Sequence, residues 1–176
     1  MTKRISTLIL FCLCCYSALA QVKIKIERAT ITLPKQAKQL TKKERNETLD
    51  KKFKLDELIA NADAENNYDV DGMLLVFKGV NVNKNHNYLK ETELVKNNRR
   101  KRLHMDDNYY YISISTVNKN QVLINRNLTK DYCYYDFVIV NDDFTYSVRG
   151  SLTYLQGEET KSRAIIDQIL DNTTIK

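Results

Sequence analysis

The sequence predicts an α+β fold: a mainly antiparallel sheet with a four-strand C-terminal meander, helices packed on it and a long C-terminal helix. Three observations carry this. Apolar and polar residues alternate with period two through most of 110–154; an apolar stripe at helical spacing follows; and upstream, strand-like and helix-like stretches succeed one another without a repeat or linker. The chain has 176 residues, one proline, four glycines and 43% apolar residues. That is enough for one packed domain, and it excludes collagen-like and low-complexity classes.

Residues 1–20 (MTKRISTLILFCLCCYSALA) have the layout of a secretory signal peptide. Lys3 and Arg4 precede an apolar run over 8–15, and Ala18-Leu19-Ala20 is a small-x-small cleavage site, so cleavage is expected between Ala20 and Gln21. The run is shorter than the roughly 20 residues a spanning helix needs. A retained anchor and a lipoprotein are the rival readings. Cys12, Cys14 and Cys15 lie in the segment, but each follows Phe, Leu or Cys where a small residue is usual. Cleavage would remove two positive charges and no acid from a net charge of +6, and would leave Cys133 as the single cysteine. Without a possible internal disulfide, stability has to come from packing. Abundant Lys and Asn match an AT-rich bacterial genome, so the expected location is periplasmic or extracellular.

Residues 21–176 then form the single domain. Val22, Ile24 and Ile26 alternate with Lys23 and Lys25, and Ala29, Ile31 and Leu33 continue on the other parity. A one-residue slip exchanges the two faces, so a bulge or break is expected at Glu27-Arg28. Pro34 ends the strand. Thr41-Lys42-Lys43-Glu44 is a capping box opening one or two helices over 42–64. The nearly continuous apolar run over 72–82 predicts a central strand covered on both faces. A modest amphipathic helix is predicted over 86–101, with Tyr88, Leu89, Leu94 and Val95 as its apolar residues. Consecutive antiparallel strands follow, with turns at Asn118-Lys119-Asn120 and Asn141-Asp142-Asp143. The last helix, over 158–171, carries Ile165, Ile166, Ile169 and Leu170 as its stripe.

A strand ending in a Leu-Pro step (ITLPKQAKQLT), then a strand meander feeding one amphipathic C-terminal helix that stops in ILDNTTI, resembles the PsbP/DcrB-like fold group. The resemblance implies an α/β/α arrangement and a non-enzymatic accessory or binding role. It covers the element order of residues 21–176 and transfers no functional residue.

Few motifs carry chemistry. Asn67, Asp69, Asp71 and Gly72 imitate the start of a calcium loop, but the twelfth position is Lys78 where a bidentate Glu belongs, so an Asp-Gly turn is expected instead. His86 and His104, the two histidines, lack the nearby ligands a zinc site needs. Cys133 shares parity with Tyr135, Phe137 and Ile139, which predicts a buried, inert thiol. Asp106-Asp107 and Asp142-Asp143 sit where Asp serves local turns. There is no nucleophile elbow, phosphate loop or dinucleotide fingerprint. No catalytic residue, metal or cofactor is therefore assigned, and the chain is not expected to be an enzyme.

Two features point to partners. Arg99, Arg100, Lys101 and Arg102 concentrate positive charge, suiting anionic envelope surfaces or an acidic partner. Tyr109, Tyr111, Tyr132 and Tyr134 should face away from the core, where tyrosine brings apolar area with a polar tip. Nucleic acid is a poor match behind an export signal. The leading expectation is an exported accessory or immunity-like domain that binds another protein; the alternatives are an anionic-surface binder and an enzyme with a dispersed site.

Overall fold

The computed structural model describes residues 21–55, 66–102, 110–129 and 132–176. Ala20, His104, Asp106, Asp107 and Tyr109 lie outside them.

The fold is α+β, and every strand pairing is antiparallel. It opens with a hairpin, β1 (Val22–Ile26) and β2 (Ala29–Leu33). The expected bulge at Glu27-Arg28 is instead a two-residue turn, with Glu27 at φ 45° and Ile26 paired to Ala29. The change of parity is a reversal of the chain rather than a slip within one strand. The short β3 (Lys38–Gln39) leads to α1 (Lys42–Thr48), which widens into a π-helical turn over Leu49–Phe53. The capping box forms: the Thr41 hydroxyl accepts from the Glu44 backbone at 3.2 Å, and the Glu44 carboxylate accepts from the Thr41 backbone at 2.8 Å. The part of the expected helical stretch over 56–64 lies outside the described residues.

β4 (Asn66–Val70) and β5 (Met73–Asn81) make a second hairpin. Asp71 and Gly72 both have positive φ, 55° and 81°, the signature of a type I′ turn. Asp69 closes it by accepting from the Gly72 N–H at 2.8 Å, so the calcium-like carboxylate serves the turn. The α2 helix (Tyr88–Arg102) follows, then the meander β6 (Tyr110–Val117), β7 (Asn120–Leu128), β8 (Cys133–Val140) and β9 (Tyr146–Tyr154). The 13-residue α3 (Glu159–Asp171) and the two-residue β10 (Thr174–Ile175) end the chain.

The main sheet has seven strands in the order β3-β4-β5-β9-β8-β7-β6; a smaller one has the order β1-β2-β10. One face of the main sheet holds the principal core, where Met73, Leu75, Phe77, Val122, Cys133, Tyr135, Phe137, Tyr146 and Tyr154 meet β2 and the Ile165, Ile166 and Ile169 stripe of α3. Gly150 stands between Phe77 and Phe137 on its neighbouring strands. A Cβ there would run into the Phe137 ring and lie 2.8 Å from the Val76 carbonyl oxygen, so the ring takes the space a side chain would occupy.

The opposite face is covered in two places. Leu49, Phe53 and Leu55 pack on Leu74 and Val76 at one end. Leu89 of α2 packs on Leu123, Val138 and Val140 at the other. Between them the sheet surface is polar.

Candidate functional site

That polar surface results from strand register. Tyr134 pairs with Asn127 and Asp136 with Asn125 across β8–β7, while Tyr110 pairs with Asn127 across β7–β6. Directly paired residues share a face, so Tyr110, Asn125, Asn127, Tyr134 and Asp136 point the same way. Asn125 and Asn127 are 3% and 2% exposed, an unusual depth for polar side chains.

The α2 helix lies over them with its polar side inward. Thr92, Lys96 and Arg100 follow Leu89 at helical spacing and are half-buried, whereas Leu94 and Val95 are 60% and 67% exposed. The predicted apolar stripe is thus split: only its first part, Tyr88 and Leu89, packs, and the later pair faces solvent. The Lys96 ammonium donates to Asp136 at 2.7 Å, and the Asn125 amide nitrogen donates to the same carboxylate oxygen at 3.2 Å. One turn on, the Arg100 guanidinium stands 5.1 Å from the centre of the Tyr110 ring. At the other end of this strip, the Arg149 guanidinium lies over the Tyr88 ring and donates to its hydroxyl.

A cleft of about 210 Å³ remains between the end of α2 and the sheet. Arg99 and Arg100 form one wall, Tyr132 and Tyr134 the other, and Asn125 and Asn127 the floor. The two tyrosine rings are stacked, with centroids 6.2 Å apart. Burial, with the Asp136 charge adding to it, pushes the Tyr134 phenol well above the ordinary tyrosine range, so it stays a neutral hydrogen-bond donor. Burial also raises Tyr110, with Arg100 opposing. Two buried polar atoms at the cleft, the Asn125 amide oxygen and the Tyr110 hydroxyl, have no hydrogen-bond partner among the described residues. Such groups normally find one, so an occupant of the cleft has a donor and an acceptor waiting for it.

The sequence-derived candidates fall in different places. Tyr132 and Tyr134 meet Arg99 and Arg100 in this cleft. Lys101 and Arg102 are exposed at the helix end. Tyr111 projects from the other face of β6, is 44% exposed and lines a separate open hollow with Arg126, Tyr135, Glu159 and Arg163. Gln21 is exposed at the start of the described chain. Cys133 is fully buried, and burial raises its thiol pKa, which keeps it protonated. His86 packs edge-on against Phe144 at 4.7 Å.

Sequence reasoning missed Lys96, Tyr110, Asn125, Asn127, Asp136 and Arg149. The available signal was Thr92, Lys96 and Arg100 at i, i+4 and i+8, which aligns polar residues along one helix side. Among the described residues no cluster of three or more His, Cys, Asp or Glu could hold a metal ion, and no helix is long and apolar enough to cross a membrane.

No protein-family model matches the chain, and no curated protein does either. Among solved structures, the chain is similar to a protein from Bacteroides thetaiotaomicron, with a TM-score of 0.48 and 9% identity. That likeness covers 85% of this chain and 45% of the other, so the chain spans less than half of that protein.

Proposed function

We propose that this chain is a non-enzymatic accessory domain, exported from a bacterial cell, that binds another protein by taking an acidic group of that partner into the cleft under α2. One observation carries the reading: Arg99 and Arg100 of the basic run and two of the tyrosines, separate in sequence, converge on the same small cleft. Arginine and tyrosine are the side chains most often dominant in protein recognition, one for carboxylates and the other for apolar contact at low entropy cost. The layout of residues 1–20 supports export.

A second reading keeps the binding and changes the partner. Lys101 and Arg102 are exposed beyond the cleft, which favours contact with an anionic envelope surface.

Capture experiments on an envelope fraction, using the purified full chain as bait, separate the two. A stoichiometric partner that survives moderate salt is expected, with binding weakened at least about tenfold by Arg99→Glu, in line with the roughly 2 kcal/mol or more carried by dominant interface residues. Lys43→Ser, on exposed α1, should bind as the unmodified chain does. Binding only at low salt, together with salt-sensitive adsorption to anionic vesicles, supports the surface reading instead. Capture of nothing by either route overturns both.

A further inference from the structure

We infer that β6 is an acceptor edge: an extended segment of a partner protein, bearing acidic side chains, adds to it as an eighth strand of the main sheet. The inference rests on the protein-binding reading above and specifies its mode.

The first argument is a comparison of edges. β3 and β10 are two residues long, and β1 carries Lys23 and Lys25 along its five residues. Short length and lysine are the usual guards against unwanted strand pairing. β6 has neither: its eight residues, YYISISTV, include no charge, proline or glycine, and no described strand pairs with its outer side.

The second argument is the direction of its backbone groups. Asn118 and Lys119 form a two-residue turn with φ of 48° and 72°, and Val117 pairs with Asn120 across it. Such a hairpin makes the flanking pair hydrogen-bonded, and bonded and non-bonded pairs alternate from there. Val117, Ser115, Ser113 and Tyr111 therefore bond to β7. Thr116, Ile114, Ile112 and Tyr110 turn their N–H and C=O groups outward, and no backbone bond between described residues outside the ladders uses them.

The third argument is charge. β6 runs between the cleft, which Tyr110 lines, and the open hollow of about 550 Å³, which Tyr111 lines. Successive side chains of an added strand would fall alternately towards the two. Arg99 and Arg100 line the first; Arg126 lines the second together with Glu159 and with Arg163, and among the described residues the buried Nε of Arg126 has no partner. Two of the nearby acids are engaged internally, Asp136 with Lys96 and Asp167 with Arg163. Acidic side chains on one face of the incoming strand complement the cleft side, where Arg99 and Arg100 carry the positive excess. A second copy of β6 carries no acid, and two chains of positive net charge, +6 for the full sequence and two fewer after the expected cleavage, repel, so the partner is a different protein.

Residue-resolved amide exchange by NMR on the purified full chain tests this, with the blocked peptide acetyl-Val-Glu-Val-Glu-Val-Glu-amide as probe and its Lys-for-Glu counterpart as control. The acidic peptide should slow exchange at Tyr110, Ile112, Ile114 and Thr116 and leave Tyr111, Ser113 and Ser115 nearly unchanged, since those are already bonded. The basic peptide should do nothing. Thr116→Pro removes one outward N–H at an exposed position and should weaken peptide binding about tenfold, the value of one hydrogen bond. If that variant fails to fold, the alternating exchange pattern in the unmodified chain decides alone. Perturbation confined to Arg99 and Arg100, without the alternating pattern, overturns strand addition while leaving the cleft reading intact. The alternating pattern with no effect of Arg99→Glu supports strand addition and removes the cleft. Protection that grows with protein concentration in the absence of peptide means self-pairing and overturns the choice of partner.

Discussion

Asp136 holds two side chains at once, the Lys96 ammonium from the helix above and the Asn125 amide from the strand beside it. Removing it would leave a half-buried cation without its counter-charge and a buried amide without its acceptor. Asp136→Ala should lower stability by roughly 1–3 kcal/mol, the range for hydrogen bonds to charged groups. Lys96→Ala combined with Asp136→Ala should cost less than the sum of the single changes, because the two share one interaction. Urea denaturation of the four proteins measures this, and strict additivity would mean that the pair contributes nothing. The same residue explains why the site was only half legible in the sequence. Arginine and tyrosine declare themselves by type. Asp136, Asn125 and Asn127 look like ordinary strand polars until register puts them under a helix. The run Tyr109-Tyr110-Tyr111 shows the limit: alternation says that neighbours face opposite ways, but which one joins Tyr134 depends on pairing through Asn127.

The elements divide along similar lines. The meander was visible because apolar and polar residue types alternate along β9 and along parts of β6 to β8, although burial does not follow that period: β9 is buried at all but one of its residues. The main apolar strand was visible because both its faces are covered. β3, β4 and β10 were missed: β4 is polar at three of its five residues, and the other two are two residues long, below any periodic signal. The α2 helix was found but mis-faced, since Leu94 and Val95 suggested an inward stripe that Thr92, Lys96 and Arg100 provide instead. The α1 cap was readable directly, and it carries a pH dependence. Hydrogen bonds from the Thr41 backbone and hydroxyl hold the Glu44 carboxyl below its ordinary value of 4.5. A depressed acid contributes its stability above the ordinary value and loses it as pH falls through the folded one. The first turn of α1 should therefore fray on acidification below about pH 4, and Glu44→Gln should abolish that dependence. Amide exchange within α1 as a function of pH measures it; unchanged protection at low pH would show that packing of Leu49 and Phe53 alone holds the helix.

At the scale of the whole molecule, tyrosine burial sets the alkaline limit. Burial is the leading cause that pushes Tyr146 up to about 12 and shifts Tyr134 and Tyr154 further in the same direction. In the unfolded chain these phenols ionise near 10. Raised folded values mean full stability below about pH 10 and progressive loss as pH climbs towards them, because only the unfolded state releases the protons. Phenolate absorbance of these rings should thus rise together with loss of secondary structure, in one transition above about pH 10. Ionisation of the buried set ahead of unfolding would show that water reaches the core without opening the sheet.

The chain's end also has a place in this architecture. β10 pairs Thr174 and Ile175 with Thr30 and Ala29; the Lys176 N–H donates to the Arg28 carbonyl at 2.9 Å, and the Lys176 carbonyl accepts from the Arg28 side chain at 2.7 Å. Asn120 donates to the Thr173 carbonyl at 3.1 Å, tying the same segment to the meander. β10 thus closes a small sheet begun by residues near position 22, joining segments from opposite ends of the described residues. That sheet is complete only when both segments are in place, and removal of 174–176 would leave one edge of β2 open to other pairing.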